Sequence, residues 1–81
     1  MQIRPLRDRI AVERIESAEL APPYGRGKVL ALGEGVLRDN GTVRPGDIVV
    51  FYDGYDVQVE QIDGQEVLLM PQSNIMASVD E

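Results

Sequence analysis

Few side chains in this sequence could do chemistry. Asp53, Asp56 and Asp63 lie close together and suggest paired carboxylates or a Ca²⁺ site. Their spacing does not match an EF-hand loop, and Asp53 and Asp63 each precede a glycine, as turn residues do. Lys28 is the sole lysine and sits in an apolar run, a poor setting for a Ser-Lys pair. Gly33-Glu34-Gly35 is a weak phosphate-loop signal, because no Lys-Ser/Thr or third glycine follows. A strand turning a corner accounts for it better. Tyr24 and Tyr55 could stack on bases, but no basic platform accompanies them. The chain has no histidine and no cysteine. That removes imidazole bases, thiol nucleophiles and disulfides, and the usual ligands of zinc and haem. The residues point away from an enzyme and towards protein contact.

The elements that must position any contact surface are short and extended. Pro5 fixes its own φ and biases Arg4 towards an extended shape. Ile10 and Val12 alternate with Arg9, Ala11 and Glu13, the period of a half-buried strand over roughly 9–15. An arm carrying Ile3 and Leu6 precedes it and would fray unless something covers it. Residues 16–27 hold two prolines and two glycines in their second half and read as a surface loop. Lys28 to Leu32 is a mostly apolar strand. Asn40-Gly41 suits a type I′ turn, so residues 36–43 form a small projecting hairpin. Arg44-Pro45-Gly46-Asp47 is another turn.

Ile48 to Tyr52 is apolar on both faces and is expected to be covered on both. Residues 56–62 alternate, with Val57 and Val59 inward and Asp56, Gln58 and Glu60 outward. Asp63-Gly64 makes a second I′ turn, and Glu66 to Met70 returns antiparallel until Pro71 ends it. Ser73 could cap a single helical turn over 74–76, before an extended tail. Six or seven short strands with frequent turns predict an all-β fold, a small closed or partly closed barrel rather than a sandwich.

Eighty-one residues make one domain, 1–81, with no internal repeat. Domains this small bury only about 60% of the surface their unfolded chains expose, so oligomerisation is a plausible aid to stability. The net charge of −6 disfavours a phosphate backbone as partner, and Asp8 and Glu13 interrupt the run of Arg4, Arg7, Arg9 and Arg14. No apolar run reaches the ~20 residues of a membrane-spanning helix, and the first residues lack a secretory signal. The expected compartment is the cytoplasm.

Several motifs resemble one family. IRPLRDRIAVER, GRGKVLALGEG, LRDNGTV and the stretch from Gly46 to the last residue are similar, in order, to GroES-type co-chaperonins, the lid subunits of the GroEL chaperonin. The resemblance implies a small GroES-like β-barrel with a projecting hairpin. It implies a ring-shaped lid, a homoheptamer, that assists ATP-dependent protein folding, holds no cofactor and leaves ATP to its chaperonin partner. It places Ile3, Pro5 and Leu6 against the Ile75, Met76, Ala77 and Val79 of an adjacent copy. Edge strands paired head to tail in this way close into a ring where the rotation permits. It puts Asp39, Asn40 and Gly41 at the tip of a roof hairpin and turns Tyr55 towards the folding chamber.

The mobile loop that grips the chaperonin in this family is much longer than 16–27 and carries an aliphatic triplet. Here Ala18, Glu19, Leu20 and Ala21 stand in its place. Burying one leucine yields about 1.5–3 kcal/mol, which avidity over seven copies would multiply. Pro22 and Pro23 stiffen the loop and lower the cost of ordering it. The short loop fits a co-chaperonin matched to a particular chaperonin, a ring or scaffold paralogue that lost or changed its partner, or a loop trimmed by engineering. Unrelated small barrels are the remaining alternatives. An OB-like module would be a monomer with salt-sensitive oligonucleotide affinity. The GroES-like domain of medium-chain dehydrogenases would bring a dinucleotide-binding domain that this chain lacks.

Overall fold

The computed structural model describes residues 3–16, 23–36 and 43–79. Six strands follow one another: β1 (Arg9–Ile15), β2 (Tyr24–Leu32), β3 (Ile48–Tyr52), β4 (Gln58–Ile62), β5 (Gln65–Pro71) and β6 (Ile75–Val79). They form one sheet in the order β4-β5-β1-β2-β3-β6, with every neighbouring pair antiparallel. The fold is all-β, as the turn spacing predicts. The sheet curls around a single cluster of Ile10, Val12, Val29, Val49, Phe51, Leu68 and Met70. Val36 and Val43, where the expected hairpin begins and ends, are buried in the same cluster. The hairpin tip lies outside the described residues.

The barrel is partly closed. β4 and β6 are the two ends of the ladder and do not pair with each other. Side chains bridge the gap instead. Val57 and Ile75 both pack on the shared core. Asn74, the one buried polar residue among those described, donates from Nδ2 to the Tyr52 carbonyl at 3.1 Å and to Asp56 Oδ1 at 2.8 Å. A buried amide must find such partners, and these two fix the corner between β3 and β6.

The turns follow their residues. Asp63 and Gly64 both have positive φ (52° and 81°), as a I′ turn requires. Pro45-Gly46 makes a turn with Gly46 at φ 98°, closed by Asp47 N–H donating to the Arg44 carbonyl at 3.0 Å. The Gly33-Glu34-Gly35 bend is a close backbone approach. Gly33 and Gly35 donate to the carbonyls of Arg9 and Arg7 at 2.8 and 2.7 Å, and a Cβ at Gly33 would sit 2.2 Å from the Arg7 oxygen.

Four local expectations are corrected. β2 begins at Tyr24, four residues earlier than the apolar run suggests. Its glycines are packing positions rather than breakers: a Cβ at Gly27 would lie 2.2 Å from Val12, and one at Gly25 2.8 Å from the Phe51 ring. Val59 is not inward but 53% exposed, because β4 is an edge strand reaching past the core. Ala11 is fully buried although it faces away from Ile10 and Val12, since β1 is central and has β5 and β2 on either side. The helical turn is a 3₁₀ turn over Gln72–Asn74, entered from Pro71, so Ser73 is inside it and caps nothing.

Candidate functional site

The two chain ends meet the body of the barrel differently. In the N-terminal arm, Pro5 is buried, Ile3 is half-buried and Leu6 is exposed. None of these residues joins a strand. A turn at Leu6–Arg9, with Arg7 at φ 60°, swings the arm away from β1. Backbone bonds from Gly35 to Arg7 and from Gln72 to Asp8 (3.0 Å) hold that turn. Beside the arm lies a cavity of about 290 Å³. Ile3, Pro5, Leu6 and Leu69 give it apolar walls, and Arg4, Arg9 and Gln58 complete the lining.

The C-terminal segment is a strand. β6 pairs antiparallel with β3 of its own chain, with Ile48 opposite Val79 and Val50 opposite Ala77. One edge of Ile75–Val79 is thus used within the chain. The other edge has no strand neighbour among the described residues. Met76 is 58% exposed on this strand, while Ile75 and Val79 are half-buried.

A third region lies where the chain enters β2. Tyr24 and Tyr52 are register partners in β2 and β3. Their rings meet edge to face, with centroids 6.1 Å apart. Asp53 N–H donates to the Pro23 carbonyl at 2.7 Å, one residue beyond the last paired strand residues. Behind this pair, Arg14 is exposed near the end of β1 and lies over the Phe51 ring, 5.9 Å from its centre. Asp53 Oδ2 accepts from its Nη2 at 2.9 Å, and Glu66 Oε1 stands 3.8 Å from its Nε. An arginine on a ring face with two carboxylates closes the end of the core where Phe51 would otherwise meet water.

Of the residues singled out from sequence, Ile3, Pro5 and Leu6 converge on one cavity, and Ile75, Met76, Ala77 and Val79 form one strand. Tyr55 stands fully exposed in the turn after β3. Ala18, Glu19, Leu20 and Ala21 lie outside the described residues, as do Asp39, Asn40 and Gly41. Asp53 and Asp56 serve structure, holding Arg14 and Asn74, while Asp63 shapes a turn. No group of three or more potential metal ligands occurs among the described residues. No helix among them is long and apolar enough to cross a membrane. The Tyr24–Tyr52 pair and the place of Arg14 over the Phe51 ring are not read from the sequence above. The period-two pattern of β1 was a signal for Arg14, whereas the tyrosine pair needs the strand register.

Comparison with known proteins shows the family of the chain. Residues 17–79 match the family described as Chaperonin 10 Kd subunit. A Shewanella amazonensis protein named Co-chaperonin GroES is 45% identical over 96 aligned positions, covering 99% of this chain and all of the relative. A protein of the same name from Wigglesworthia glossinidia brevipalpis is 44% identical over 97 positions and covers both chains fully. Ninety-six aligned positions against 81 residues leave at least 15 positions of the Shewanella protein without a counterpart here.

Proposed function

Because this chain belongs to the chaperonin 10 kDa subunit family and is a co-chaperonin, we propose that it works as a ring-shaped lid on a GroEL-type chaperonin. The observation that carries this reading is the edge of β6 that has no strand neighbour among the described residues, in a chain whose N-terminal arm flanks an open apolar cavity. A neighbouring copy supplies what each lacks. The arm of one subunit, through Ile3, Pro5 and Leu6, lies along the free edge of the next subunit's β6, and Met76 fills the cavity. Backbone groups on both segments gain partners, and the contact is head to tail, so it repeats into a closed ring, taken to be a heptamer.

The rest of the assignment follows from that ring. Ala18, Glu19, Leu20 and Ala21 contact the chaperonin, and Leu20 supplies the apolar anchor. Asp39, Asn40 and Gly41 form the roof tip, and Tyr55 faces the enclosed chamber. The chain is no enzyme and binds no nucleotide; ATP is bound by the partner, in the cytoplasm. Mixing the purified protein with a chaperonin, with and without ATP, tests the reading. Capture of the chaperonin with ATP is expected, with its loss in Leu20→Asp while the ring stays intact. Normal capture by Leu20→Asp would refute the loop assignment. No capture in either nucleotide state would favour a scaffold ring.

A further inference from the structure

β6 is the strand whose own side chains say least about where it should sit. It reads IMASV, apolar at four of five positions, so a slip of one residue would exchange one apolar set for another. Its register on β3 is nonetheless specific and uneven. Ile48, Val49 and Val50 face Val79, Ser78 and Ala77 in turn, and then Phe51 faces Ile75. That step leaves Met76 with no residue opposite it on β3, the arrangement of a bulge, and bulges re-aim a side chain. Asn74 stands just before the step. Its Nδ2 donates to two acceptors on other segments, the Tyr52 carbonyl and Asp56 Oδ1. A satisfied buried amide adds little net stability, and an apolar contact of the same shape would serve as well. What the amide adds is position. A slip of one residue moves the chain by about 3.3 Å and carries Nδ2 away from both acceptors.

We propose that Asn74 and Asp56 are positioning residues for subunit pairing: they pin β6 so that the register step falls at Met76 and turns that side chain out towards a neighbouring copy. The inference rests on the ring reading above and deepens it. In a head-to-tail contact one subunit presents β6 and the next presents the cavity. The angle between those two surfaces on a single chain decides whether the ring closes. Asp56 is bonded to both. Its carboxylate holds Asn74 at the start of β6, and its carbonyl accepts from Nη1 of Arg9, a cavity-lining residue, at 3.4 Å.

Two readouts separate this pin from general stability. Native mass against concentration gives the concentration at which the particle comes apart. Methyl nuclear Overhauser contacts give the register, because residues directly opposite in antiparallel strands have Cβ atoms about 4.5–5.5 Å apart. In the parent protein the Val50–Ala77 contact should be stronger than Val50–Met76. Asn74→Asp keeps the size and loses the donor. It should reverse that order and raise the dissociation concentration about 10-fold. Combining Asn74→Asp with Asp56→Asn trades donor and acceptor, and should return both readouts towards the parent. Val29→Ala, a change in the buried core, should lower the unfolding midpoint and leave both readouts at parent values. Parent register in Asn74→Asp would overturn the pin. So would failure of the exchange to recover assembly, or equal weakening by Val29→Ala. A single-chain parent at every concentration would refute the ring reading and the pairing role with it, while the methyl contacts would still decide whether Asn74 sets the register of β6.

Discussion

The sheet ends in two edge strands of equal length, and they are built differently. β4 reads QVEQI and β6 reads IMASV. β4 carries Glu60 with Gln58 and Gln61, and four of its five residues are exposed. β6 has no charged residue and keeps apolar side chains at four of five positions. Charge on an edge discourages pairing with another chain, and its absence permits it. A monomer would need both edges guarded. Guarding one and leaving the other apolar fits the ring proposed above, with β6 as the edge that would pair.

The most disruptive way to break this comparison is to charge the unguarded edge. Met76→Lys should reduce the assembly to single chains in light scattering, whereas Gln61→Lys on β4 should leave particle mass unchanged. The reverse pattern would assign the interface to β4. The comparison sharpens at the core beneath the two edges. Phe51, paired with Ile75, is fully buried, and Phe51→Ala should cost about 3–5 kcal/mol in denaturant unfolding. Val59→Ala on β4 should stay within about 0.5 kcal/mol. Asn74→Ala removes both hydrogen bonds that hold the start of β6 against the turn after β3. It should cost about 1–3 kcal/mol, read as a lower midpoint with unchanged slope. Arg14→Ala should cost less than Asn74→Ala. Its ion pairs are partly exposed, so the loss should be about 1 kcal/mol or less and shrink as salt is raised.

What could be read before the structure was mostly local. β1 begins and ends where its alternation does, and Asp63-Gly64 and Pro45-Gly46 make the turns their φ preferences demand. These depend on neighbours in the chain. The errors came from long-range packing. Gly25 and Gly27 look like loop residues until Phe51 and Val12 are seen to occupy the space a side chain would take. Val59 has the alternation of a core residue, but alternation does not say where an edge strand outruns the core. β6 looks like a free tail because its intrachain partner, β3, lies on the far side of two other strands in sequence. The chain-end residues of the candidate site were legible as extended apolar segments, while their cavity was not, since it needs Leu69 and Gln58 from distant strands.

The native mass of the purified particle, measured across a wide concentration range, puts the pairing of copies to the most direct test. A seven-chain species that persists on dilution is the predicted result. A single-chain mass at the highest concentration reached would contradict it, because the open side of β6 would then have no partner to receive.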